Sequence, residues 1–105
     1  YYRIAAEQGY AHAQNNLGCC FELGEGVTQS YEEAVRWYKL AADQGLAKAH
    51  ISLGAFYERG IGGLARDVNE ALRLYKLGVA NGFQNAQEVV QRLEAEVERA
   101  VVKRS

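Results

Sequence analysis

His12, Cys19 and Cys20 carry the side chains of this sequence whose chemistry reaches beyond packing. An imidazole and a thiol are the parts of a nucleophile–base pair, or of a metal site. His12 and Cys19 are seven residues apart, which on a helix puts them on one face. Two helical turns also separate them by about 10 Å, too far for direct proton transfer. Cys19 and Cys20 are neighbours; on a helix they point about 100° apart and do not close a disulfide of ordinary geometry. The other histidine, His50, lies in a different segment, and no second cluster of ligand types accompanies it. Glu32-Glu33 and the set Glu94, Glu96 and Glu98 offer paired carboxylates, but in segments so rich in charge that a solvated helix face accounts for them. Gly60-Ile61-Gly62-Gly63 has the glycine density of a phosphate loop without the Lys-Ser/Thr that completes one, and no strand precedes it. Its counterpart Gly24-Glu25-Gly26 places a carboxylate where phosphate would sit. The expectation is therefore no catalytic residue, no metal and no cofactor.

The elements that hold these residues follow from composition and pattern. A length of 105 residues makes one domain. Lys and Arg number 12 against 13 Asp and Glu, a formal charge of −1, which lacks the basic excess that nucleic-acid binding requires. With 49% apolar and 24% charged residues the chain is ordinary globular material, not a disordered one. No window of 18 apolar residues exists to span a membrane, and no basic-then-apolar leader opens the sequence. Two cysteines are too few for a disulfide scaffold and leave the compartment open. There is no proline but there are 11 glycines, so helix is permitted almost anywhere and glycine must supply the punctuation. The first residues, Tyr1-Tyr2-Arg3-Ile4-Ala5-Ala6, read as helix interior, and the sequence is expected to be a piece of a longer protein.

The chain repeats itself. At a shift of 36 residues, Ala5, Gln8, Gly9, Ala13, Leu17, Gly18, Glu22 and Gly24 meet Ala41, Gln44, Gly45, Ala49, Leu53, Gly54, Glu58 and Gly60. One extra residue in the second loop makes the shift 37, and Glu33, Ala34 and Arg36 then meet Glu70, Ala71 and Arg73. A partial third copy follows, with Tyr75-Lys76-Leu77 repeating Tyr38-Lys39-Leu40. This divides the domain into a first repeat over 1–36, truncated on its N-terminal side, a second over 37–73, and a partial repeat with a C-terminal cap over 74–105. Each copy shows two apolar stripes of helical period. The spacing predicts helices over about 1–8, 11–23, 31–44, 47–59, 68–81 and 84–103. Ser30 with Glu33 and Asp67 with Glu70 fit capping boxes, and Gly9, Gly45 and Gly82 fit left-handed caps. Gly18 and Gly54, inside helices, each cost about 1 kcal/mol against alanine, so a close approach by the paired helix is the expected reason for them. Tyr38, Tyr57 and Tyr75 recur with the period and read as packing.

The motif A-x-A-x-x-x-L-G-x-x-[FY]-E-x-G-x-G, then a loop and [YV]-x-E-A-x-R, resembles the Sel1-like repeat, a relative of the tetratricopeptide repeats. In the third unit Val90-Gln91 replaces the Leu-Gly pair, which marks that unit as a terminal cap. The resemblance implies an all-α solenoid of stacked antiparallel helix pairs, with a concave face that binds other proteins. Counting 100° per residue, the face opposite the core on the Leu-Gly helices holds His12, Asn15, Asn16, Cys19 and Glu22 in the first copy. It holds Lys48, Ile51, Ser52, Ala55 and Glu58 in the second, and Asn85, Glu88 and Arg92 in the third. Amides, both charges and one apolar residue suit an extended peptide or a partner helix. The function expected is a non-enzymatic protein-interaction or scaffold module. Its rivals are a self-association segment and an enzyme built on Cys19 or His12. The last helix continues an apolar stripe through Val97 and Val101, beyond the reach of the helix before it, and a second contact with another chain or domain is expected there.

Overall fold

The computed structural model describes residues 2–104, with the side chains of all but 2, 3, 85 and 104. Helices follow one another as α1 (Tyr2–Glu7), α2 (Ala11–Leu23), α3 (Tyr31–Asp43), α4 (Ala47–Arg59), α5 (Val68–Ala80) and α6 (Gln87–Arg104). Among the described residues there is no strand. Sequence periodicity places the helices well. The largest difference is at the last, where a 3₁₀ turn over Gln84–Ala86 precedes α6, while the other helices end within one residue of expectation.

The helix starts show why these boundaries recur. Ser30 caps α3 by accepting from Glu33 N at 3.2 Å, and Asp67 caps α5 by accepting from Glu70 N at 3.0 Å. The reciprocal half of a capping box is absent, because the cap amides are already used: Ser30 N donates to Phe21 O and Asp67 N to Tyr57 O, both at 2.9 Å. Those bonds tie the start of each outer helix to the end of the helix before it. Glu33 and Glu70 turn instead to Arg36 and Arg73, one turn along. At the other ends Gly24 and Gly60 cap α2 and α4 in the left-handed region, φ 73° and 67°, where a Cβ is disfavoured. Gly9, Gly45 and Gly82 also have positive φ, as expected.

Each helix packs on the next in the chain, most closely α2 on α3 and α4 on α5. The result is an α-solenoid, an elongated stack of 51 × 27 × 18 Å with α2, α4 and α6 in one row and α1, α3 and α5 in the other. The main core joins the two full units: Trp37 and Tyr38 of α3 meet Leu53 and Phe56 of α4 and Leu74 of α5. Phe56 stands edge-on to both Tyr31 and Tyr38, with centroids 5.8 and 5.6 Å apart. A smaller cluster of Ala71, Tyr75, Val90 and Leu93 seats α6 on α5.

Candidate functional site

Two tyrosine–carboxylate pairs organise the α2–α4–α6 row. The Tyr38 ring lies over Gly18, where an added Cβ would stand 2.7 and 2.8 Å from two ring carbons. The Tyr75 ring lies over Gly54 in the same way, at 3.1 Å. The helical glycines thus admit a close approach, made by a ring of the paired helix. Passing over glycine, each ring carries its hydroxyl to the helix it crosses. Tyr38 donates to Glu22 Oε1 at 2.7 Å and lies 3.3 Å from Cys19 Sγ. Tyr75 donates to Glu58 Oε1 at 3.0 Å. Burial pushes both phenols up, and the bonds to Cys19 and Glu22, or to Glu58, act in the same direction. Both hydroxyls therefore stay protonated donors at neutral pH, and each carboxylate is held through one oxygen. The other oxygen of Glu58 accepts from Arg92 Nη2 at 2.9 Å, while Arg92 Nη1 lies 3.4 Å from Glu96.

The other residues assigned to this face divide by position. His12, Asn16, Lys48, Glu88 and Arg92 are exposed, and Cys19, Glu22, Ser52, Ala55 and Glu58 are half-buried. The side chain of Asn85 lies outside the described residues. Asn15 departs from the expectation of an open face: it is 6% exposed, and its Oδ1 has no hydrogen-bond partner. Ile51, at the same place one unit later, is half-buried. Its Cγ1 lies 2.8 Å from where a Cβ on Gly78 would stand. This helix position points at the paired helix rather than away from it. Gly78 admits the branched side chain, and the matching place one unit earlier is Ala41. Ile51 is thus a packing residue with only part of its side chain at the surface.

The opposite row carries a cleft that the sequence did not reveal. Gln44, at the end of α3, donates to Gly9 O and to Gln14 Oε1, each at 2.8 Å. It thereby straps α3 to the end of α1. One unit on, those three places are Asn81, Gly45 and His50. Asn81 is shorter by one methylene and bonds its own helix at Leu77 O, 2.8 Å away. His50 turns Nδ1 to Leu46 O at 3.1 Å. A carbonyl only accepts, so Nδ1 is the donor of this bond. A cleft of about 290 Å³ remains between α3 and α5, floored by His50 and Leu53 and edged by Lys39 and Arg73. Asn81→Gln is expected to close it by reaching Gly45 O, adding about 1 kcal/mol of stability. That corresponds to a rise of about 4–8 °C in Tm by calorimetry, and an unchanged Tm would show that side-chain length at 81 does not set the opening.

At the C-terminal end, α6 runs for 18 residues against the 13 of α5. Val97 is half-buried, Val101 58% exposed and Val102 72% exposed. No helix among the described residues is long and apolar enough to cross a membrane. The recurrence of Tyr38 and Tyr75 with Glu22 and Glu58 was the available signal for the hydroxyl–carboxylate pairs, and treating the tyrosines as packing alone missed it.

Comparison with known proteins places this architecture. The family profile described as Sel1 repeat matches residues 1–10, 11–46 and 47–83, so that one unit is the pair α2–α3 and the next α4–α5. A Sel1 repeat protein from Oxalobacter formigenes is 40% identical with a TM-score of 0.80, over 85% of this chain and 36% of its own. The protein c5321, a protective antigen present in uropathogenic Escherichia coli strains and displaying an SLR fold, is 42% identical with a TM-score of 0.78. That match covers 82% of this chain and 18% of the antigen. The chain thus spans about a third of the first structure and under a fifth of the second. No curated protein matches it.

Proposed function

The chain belongs to the Sel1 repeat family, and on that premise we propose that it is a non-enzymatic module that binds a peptide or partner protein along the concave, α2–α4–α6 side of the stack. Sel1 repeats form a helical scaffold that commonly serves protein interaction. The observation that supports this face is the fixing of Glu22 and Glu58 by buried tyrosine hydroxyls. Polar groups held in place before a partner arrives cost less to order on binding. Exposed His12, Asn16 and Lys48 lie on the same helices and supply further hydrogen-bonding and charged groups. Cys19 has a phenol hydroxyl beside it, not the imidazole that a cysteine nucleophile uses, which speaks against the enzymatic rival.

The test is a selection of peptides from a random displayed library on the immobilised chain, followed by NMR mapping of the selected peptides. Amide shifts at Asn16, Lys48, Ser52 and Arg92 are the expected result. Shifts confined to α3 and α5, or no selectable peptide at all, would sink the assignment. A second reading, self-association through α6, is favoured by the exposure of Val102 at its end. Under that reading Val97→Asp with Val101→Asp lowers the mass measured by light scattering at several concentrations. If mass, stability and peptide binding are all unchanged, the end of α6 is a solvated tail.

A further inference from the structure

Within one chain the repeat supplies two copies of the same tyrosine–glutamate device, and only one holds a cation. Glu58, fixed by Tyr75, accepts the guanidinium of Arg92 from the next helix of the row. Glu22, fixed by Tyr38 in the same way, makes no ion pair among the described residues. The reason is one substitution. The place that Arg92 takes in α6 is taken in α4 by Ala55, thirty-seven residues earlier, which brings no cation to Glu22. Glu22 and Ala55 are both half-buried, so each keeps part of its side chain at the surface of the row.

We propose that Glu22 is the acceptor for an arginine side chain of the bound polypeptide, seated over Ala55 and meeting the carboxylate as Arg92 meets Glu58. The proposal rests on the concave-face reading and gives it a partner chemistry. The planar guanidinium donates to a carboxylate in a fixed fork, so a held carboxylate selects for it in a way that a mobile one does not. The site differs from its occupied copy in two further respects: Cys19 Sγ stands beside the Tyr38 hydroxyl where the other copy has Ala55, and Arg59 stands where Glu96 approaches Arg92. Arg59 is exposed and makes no ion pair among the described residues. The vacant copy therefore has one carboxylate where the filled copy has two.

The probes are two pools of short capped peptides, random except for a fixed central residue, arginine in one and its neutral isostere citrulline in the other. Titration into the whole chain is followed by NMR. The arginine pool is expected to shift the amides of Cys19, Glu22 and Ala55, and the citrulline pool to leave them in place. Glu22→Gln, which keeps the shape and removes the charge, should weaken arginine-pool binding about tenfold or more. Ala55→Arg should fill the site from within the chain and abolish it. Arg59→Glu should strengthen binding, and Arg92→Ala should open a second site at Glu58, adding shifts there. Should Ala55→Arg fail to fold, Glu22→Gln and Arg92→Ala carry the test. Arginine-pool binding that persists in Glu22→Gln, or citrulline binding of equal strength, overturns the arginine site. Shifts at Asn16, Lys48 and Ser52 in that case leave the concave face standing, whereas no shift anywhere on α2, α4 and α6 overturns both.

Discussion

Replacing Gly18 by leucine is expected to lower stability by about 3 kcal/mol or more, measured by urea denaturation. The cause is the Tyr38 ring, whose carbons lie 2.7 and 2.8 Å from the position of an added Cβ. That ring cannot give way. It is fully buried, stacked edge-on to Phe56 and anchored by its bond to Glu22. Alanine separates the contributions. Gly18→Ala adds about 1 kcal/mol of helix propensity and about 1–3 kcal/mol of overpacking, so a net loss is expected. At Gly54 the nearest atoms are 3.1 and 3.2 Å away, an ordinary shift of a few tenths of an ångström suffices, and Gly54→Ala should be close to neutral. Gly54→Leu should still cost several kcal/mol. Equal effects of alanine at the two positions would show that the tyrosine rings do not set the requirement for glycine.

Phe56→Ala is expected to cost about 3–5 kcal/mol, and to do more than weaken the whole. Phe56 belongs to α4 but fills the space against Tyr31 and Tyr38 of α3, the joint between the two full repeat units. Stability in a stacked repeat is a sum of unit and interface contributions, so removing an interface uncouples neighbours. Calorimetry should then show a broadened or doubled transition in place of a single one. A uniform fall in Tm with a single sharp transition would mean that the units remain coupled by other contacts.

The helices and the family were legible because the same small residues return at a fixed shift, and a repeated Leu-Gly or Gly-x-Gly has no other reason to recur. The candidate face was legible only in part. Asn15 and Ile51 sit on the margin of the helix wheel, where an angle of 100° per residue does not settle which way a side chain turns. What settles it for Ile51 lies on another helix, where Gly78 opens a slot for its side chain. The cleft beside His50 was hidden for a similar reason. It follows from the loss of one methylene at Asn81, which matters only once Gln44 is seen strapping α3 to Gly9.

The straps are unevenly distributed along the stack. Gln44 ties the unit 11–46 back to α1, and Arg92 ties α6 back to α4. Between 11–46 and 47–83, no side-chain hydrogen bond or ion pair crosses among the described residues, apart from the local link of His50 to Leu46. That joint is held instead by packing: Trp37, Leu53 and Leu74 surround Phe56, which stands edge-on to Tyr31 and Tyr38. Among the described residues, the joint between the two full units therefore lacks the charged or amide tie found on either side of it. Salt, which screens ion pairs, should therefore loosen the tie of α6 to α4 and leave this joint closed, and a polypeptide clasped at Glu22 and laid across Ala55 would bridge the two units.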